Sequence, residues 1–299
     1  MKVSDILAKS DRTRFSLEVY PPKVLKSATG PTINQQLSDI FETVEHLVDY
    51  DPAFISVTYN PQGKTKATSI PLAAIMKQRY KVETVAHLTC IATPRKEIKR
   101  TLDVLNYFDI ENVLALRGDR PKDIDPAMTG LEHACELVTE VKRHEANFCI
   151  GVAGHPEGHP ECVVSDGKKD MESDIAHFKS KVDQGASFAI SQMFLDNKAF
   201  FNFVDRANMT GVNIPIIPGI MPIINMDIVK VAEGICGAKI PPALEKRLND
   251  HKDEPKEIWN IGVEHSIAQC KGLMDKVLCI HFYTMDLWKP IKAIIDGIK

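Results

Sequence analysis

Eight short runs rich in β-branched and aromatic residues alternate along this chain with segments of helical periodicity, and no other feature narrows its fold so far. The runs lie at 15–20, 54–58, 84–89, 112–116, 148–153, 188–192, 215–219 and 276–282. Such alternation is the signature of parallel βα units, because parallel neighbours need a crossover long enough to hold a helix. The first intervening segment sets Leu37, Ile40, Phe41, Val44, Leu47 and Val48 at three- and four-residue spacing, which predicts one apolar helix face. Thr93 and Pro94 predict another start, a cap residue followed by proline at the first helical position. Later helices are predicted over about 130–144, 171–184, 197–209, 225–236 and 287–298, and the stretch 241–272 reads as two more before the last strand. No linker or low-complexity segment divides the 299 residues, so one domain over 1–299 is expected.

Eight parallel strands can close into a barrel or spread as an open doubly wound sheet. An open dinucleotide-binding sheet carries a glycine-rich turn after its first strand. Here that strand runs into Tyr20, Pro21, Pro22 and Lys23, which favours a single (β/α)8 barrel. A composition of 44% hydrophobic and 26% charged residues suits a packed core. A net charge of −3 with mixed signs gives no footprint for nucleic acid or an anionic membrane, so a small molecule is the expected partner. The start lacks the apolar run of a signal peptide, and a cytoplasmic location is expected. The seven cysteines are scattered without a CxxC pair and read as reduced, buried residues.

Alternation along the first strand puts Phe15, Leu17 and Val19 on one face and Ser16 and Glu18 on the other. With the apolar face against the helices, Glu18 points into the barrel near its C-terminal mouth, where active sites of this fold assemble. The same reading places Ser56 and Thr58, then His87 and Thr89, on shared faces of the next strands, Arg117 beyond the fourth, Gln192 at the end of the sixth, and His281 and Tyr283 together on the last. Each residue also has a plain structural reading. A strand glutamate can be an ion-paired edge residue, and Arg117-Gly118-Asp119 can be a turn with an internal ion pair. His155 and His159 have i, i+4 spacing, but Pro156 and Pro160 oppose the helix that would make it a metal pair, so no metal is expected. A loop that carries the imidazoles to a ligand and a solvent-exposed turn both remain open. Asp174, His177 and Lys181 fall on one helix face, where a surface charge stripe is the alternative.

The segments FSLEVYPPK, FISVTYNPQG, VAHLTC, NVLALRGDRP, GHPEGHPE, KVDQGASFAISQMFLD and IPIIPGIMPI, in this order, and HFYTMD near the end, resemble the methylenetetrahydrofolate reductase family. The resemblance implies bound FAD, NADH or NADPH as electron donor, reduction of 5,10-methylenetetrahydrofolate to 5-methyltetrahydrofolate in one-carbon metabolism, and a homo-oligomer. It implies Glu18 and Asp119 as catalytic residues. It implies flavin contacts at Thr58, Tyr59, His87, Arg117, Gly118, Asp119, His155, His159, Asp174, His177 and Lys181, and substrate contacts at Gln192, Met226 and Tyr283. With no glycine-rich phosphate loop, Lys181 and helix N-termini are the expected partners of the pyrophosphate. The chain departs from the family pattern at His155, His177, Ser180, Met226 and Leu287. Ring opening of the substrate needs a protonated nitrogen leaving group, and a raised pKa is expected for Glu18 in a flavin-covered, partly dehydrated mouth. Asp119, held ionised, would favour a cationic iminium. Two alternatives are a non-redox pterin-binding barrel enzyme and a flavin subunit served by a protein electron donor.

Overall fold

Backbone pairing decides between the open sheet and the barrel. The computed structural model describes residues 1–23, 32–59, 66–119, 131–164 and 168–299. Its strands are β1 (Arg14–Val19), β2 (Ile55–Val57), β3 (Thr84–Thr89), β4 (Asn112–Leu116), β5 (Cys149–Gly154), β6 (Phe188–Ser191), β7 (Ile216–Ile217), β8 (Gly219–Ile220) and β9 (Cys279–Tyr283). They form one sheet in the order β7-β6-β5-β4-β3-β2-β1-β9-β8, with every pair parallel. The two ends of that order are joined by Pro218 alone, so the sheet curls into a (β/α)8 barrel whose seventh strand is split in two. Proline has no N–H to give a ladder, which explains the break. Its carbonyl still accepts the His281 amide at 2.9 Å.

The helices are α1 (Val3–Ala8), α2 (Ile33–Leu47), α3 (Lys66–Tyr80), α4 (Arg95–Tyr107), α5 (Ala134–Lys142), α6 (Met171–Asp183), α7 (Asn197–Met209), α8 (Met226–Gly234), α9 (Pro242–Asp250), α10 (Pro255–Leu273) and α11 (Trp288–Ile298). Thr32 caps α2 through a reciprocal pair with Gln35, and Ile40, Val44 and Leu47 are its buried stripe, as the spacing predicts. α4 begins one residue later than expected. Pro94 is the cap position, and the Thr93 hydroxyl bonds the Ile91 carbonyl instead of capping the helix. The predicted pair before the last strand is present as α9 and α10. The predicted start of the fifth helix at Gly130, the NPQG of the second motif and the Arg120-Pro121 of the fourth lie outside the described residues.

Two cores follow from strand alternation. Leu17, Val19, Val57, Leu88, Val113, Val152 and Phe282 face outward into a sleeve shared with the helices. Phe54, Val85, Leu114, Cys149, Phe188, Ile190 and Ile217 fill the lower barrel interior. α1, which the sequence reading did not find, plugs that end with Val3 and Leu7, and the Val3 amide donates to Asn112 Oδ1 at 2.8 Å. Above this floor the interior turns polar.

Candidate functional site

The polar layer starts with Ser16 and His281, paired residues on β1 and β9, whose Oγ and Nδ1 lie 2.8 Å apart. His281 is fully buried, stacked on Phe54. One step toward the mouth, Glu18 is buried with its carboxylate 3.6 Å from His87 Nε2 and 3.9 Å from His281 Nε2. Both contacts are too long for hydrogen bonds. Tyr20, just beyond the end of β1, is a third neighbour of the carboxylate.

These neighbours hold the Glu18 carboxyl down in the protein without ligand. Burial pushes the carboxyl up, but His281, the charge of His87 and the Tyr20 hydroxyl outweigh it, and Glu18 lies below its ordinary value. His87 itself falls to about 4, because burial disfavours the imidazolium more than Glu18 favours it. Near neutrality His87 is therefore uncharged, and its buried Nε2 has no hydrogen-bond partner. Thr89 Oγ1 beside it is likewise buried without one.

β4, β5 and α6 build the other bank. Arg117 forms a bidentate pair with Glu161, with Nη–Oε distances of 2.6 and 2.8 Å. Gly118 adopts φ +82, and a Cβ there would come within 3.2 Å of Thr89 and Ile91, so the chain passes close over β3. Asp119 is exposed on the rim. His155 and His159 meet edge to face at 4.6 Å, and burial lowers the pKa of both, so neither is charged at neutral pH. Both histidines are half-buried, so the motif is not a fully solvent-exposed turn. Asp174, Lys181 and His177 are not a surface stripe. Asp174 is buried, Lys181 donates to the Ala153 carbonyl at 2.5 Å, and only His177 is exposed. Burial lowers Lys181 to about 8, with Asp174 opposing, which keeps one cation inside this wall. Tyr59, after Thr58 at the end of β2, rises to about 12 through burial, with a smaller push from Glu97.

Gln192, Tyr283 and Met226 line a third side. Gln192 Oε1 accepts the Met193 amide at 2.8 Å, and the Tyr283 hydroxyl donates to the Ser191 carbonyl at 2.7 Å. Tyr283 and Met226 both pack on the cluster of Met193, Met221 and Ile223. Apart from the exposed His177, the predicted site residues lie around the C-terminal end of the strands. A cleft of about 180 Å³ beside the starts of β7 and β9, lined by Phe200, Val204, Ile216, Lys276 and Leu278, lies away from them.

Comparison with known proteins decides the family. Its model, described as methylenetetrahydrofolate reductase, matches residues 2–299. The chain belongs to the methylenetetrahydrofolate reductase family. An Arabidopsis thaliana methylenetetrahydrofolate reductase (NADH) 1 is 33% identical over all of this chain and 51% of its own length. Methylenetetrahydrofolate reductase 2 of Schizosaccharomyces pombe is 35% identical over 99% of this chain and 47% of its own. The 5,10-methylenetetrahydrofolate reductase of Pectobacterium carotovorum is 27% identical, covering 92% of this chain and 86% of its own. The chain therefore spans about half the length of the first two relatives. Among solved structures, a Clostridium thermocellum protein that binds two copies of 5-methyl-5,6,7,8-tetrahydrofolic acid has a TM-score of 0.65 at 14% identity, covering 99% and 97% of the two chains. That likeness is one of fold.

Sequence reading of this family member missed Tyr20, Glu161 and Asp286. Tyr20 was within reach, since alternation from Ser16 and Glu18 points at it. Glu161 and Asp286 sit in turns, where no periodicity reports direction.

Proposed function

We propose that this chain reduces 5,10-methylenetetrahydrofolate to 5-methyltetrahydrofolate with FAD as bound cofactor and a reduced nicotinamide as donor, Glu18 being the general acid. The observation that carries the reading is a buried carboxyl at the barrel mouth, ringed by His87, His281 and Tyr20, in a chain that belongs to this family. Relatives named for NADH and for NADPH support a nicotinamide donor, and a structural neighbour that binds methyltetrahydrofolate supports the substrate class.

The residues fit a flavin. The orphaned polar atoms of His87 and Thr89 are groups left for a ligand to satisfy, and the Lys181 ammonium, held on the Ala153 carbonyl, supplies a cation for a partly anionic one. Thr58, Tyr59, His87, Arg117, Gly118, Asp119, His155, His159, Asp174, His177 and Lys181 would hold it, and when bound it relays hydride from donor to folate. Gln192, Met226 and Tyr283 would hold the folate. Glu18 gives its proton to the ring nitrogen as the carbon–nitrogen bond breaks, which leaves an electrophilic iminium for hydride. A ligand over the mouth excludes water and raises the Glu18 pKa, so the acid gains its proton where it is needed. Asp119 on the rim favours the cationic iminium.

Anaerobic half-reactions test the reading. Purified protein should be yellow, bleach with NADH or NADPH, and recolour with methylenetetrahydrofolate. Glu18→Gln should keep the first step and lose the second by at least about 100-fold. A protein that cannot be loaded with FAD, or a variant that still reduces folate at the wild-type rate, refutes it.

A further inference from the structure

The turn after β9 is stitched to the end of β1 by side chains outside the family motif roles assigned above. Thr284 Oγ1 donates to the Glu18 carbonyl at 2.5 Å, and the Tyr20 amide donates to Asp286 Oδ1 at 3.0 Å. The Asp286 amide donates back to Thr284 Oγ1 at 3.1 Å, and Thr43 of α2 donates to the Asp286 carbonyl at 2.7 Å. Met285 and Asp286 both take left-handed backbone angles, φ 52 and 57. Non-glycine residues adopt these only where surrounding contacts enforce them. The effect is to curl Asp286 over the strand end, with its carboxylate on the amide of Tyr20, two residues beyond Glu18, while Thr284 of the same turn holds the Glu18 carbonyl.

We propose that Asp286, held against the end of β1 by this turn, is the second carboxyl of the acid–base site, a positioning residue coupled by charge to Glu18 that sets the pH range over which Glu18 holds a proton. The inference rests on the proposed role of Glu18. The groups that face Asp286 are Glu18 and Tyr20 from β1, Lys23 just beyond it, and Asp39 from α2. Burial raises the Asp286 pKa to about 7, the Tyr20 amide lowers it, and the charges of Glu18 and Asp39 raise it again, against Lys23. Glu18 therefore ionises first, and Asp286 keeps its proton to near neutrality. Two coupled carboxyls titrate as a pair. When a ligand raises Glu18, a charged Asp286 holds the Glu18 proton to still higher pH.

Carboxyl titration in the ligand-free protein, by carbon NMR with labelled aspartate and glutamate, tests the coupling without turnover. One aspartate should titrate near neutrality, vanish in Asp286→Asn and move to lower pH in Glu18→Gln. No such aspartate, or one that Glu18→Gln leaves in place, overturns the proposal. In the folate half-reaction Asp286→Asn keeps an acceptor for Tyr20 but removes the charge, so the alkaline fall in rate should begin about one pH unit lower. Nicotinamide reduction of the flavin should keep its pH profile. An unmoved folate limb also overturns the proposal. Coupled titration in a protein that never reduces folate would uphold the pairing while refuting the function assigned to Glu18.

Discussion

Glu18 shares its pocket with two imidazoles and a phenol, and each neighbour limits its proton in a measurable way. Replacing His281 with Asn removes the strongest of the pulls that counter burial, so the Glu18 pKa rises. An acid works below its pKa, and the alkaline limb of the folate half-reaction should therefore move up by about one pH unit. Stability should fall by about 1–3 kcal/mol in urea unfolding, because Ser16 loses its partner in the interior. A limb that stays in place would show that Tyr20 alone holds the carboxylate. The position of Glu18 was legible from period-two alternation, whereas its protonation was not. Sequence spacing gives the direction of a side chain on its own strand, but His87 comes from β3 and His281 from β9, and the distances between them arise from barrel closure. The same holds for Lys181, which reads as one charge on a helix stripe until the fold presses it onto Ala153.

At the scale of elements, the strands were readable wherever a run of at least four apolar or alternating residues exists. The seventh departs from this. Its run, Pro215-Ile216-Ile217-Pro218-Gly219, was expected as one strand and is two, because its second proline falls at a ladder position. Gly219, just after it, faces the Tyr283 ring, and a Cβ there would lie 2.4 Å from the Ser191 carbonyl and 2.5 Å from the ring. Gly219→Ala must displace Tyr283 or part the strands. A loss of about 1–3 kcal/mol in urea unfolding is expected, together with a higher KM for folate and unchanged flavin reduction. Unchanged stability would mean that β8 gives way at no cost. α1 escaped notice because six residues hold fewer than two helical turns, too few for a periodic signal. α10 approaches its neighbour at Gly262, where a Cβ would lie 1.7 Å from the Ile223 carbonyl, a contact that spacing along one helix cannot announce.

Over the whole molecule, function is separated from stability along the barrel axis. The floor is apolar and sealed by α1; the mouth is polar and carries every residue of the proposed reaction. Leu7→Ala should cost about 2–5 kcal/mol in urea unfolding, since Leu7 is fully buried in the floor, and leave both half-reaction rates unchanged at 25 °C. A variant equally slowed in both would show that the floor communicates with the mouth.

The split at Pro218 gives the cylinder a seam. On one side of it β7 ladders to β6 and on the other β8 ladders to β9, each through two residues, and Ser191 of β6 bridges the halves by accepting from the Gly219 amide and the Tyr283 hydroxyl. Glu18 sits two strands away, where β1 is laddered to β2 and β9 on both flanks. A vessel whose wall is split along one line has a place to yield that is not the place where its acting group is held. Gln192 and Tyr283 border that line, and the proposed reaction, which seats a nicotinamide and a pterin in turn, has use for such a division of labour.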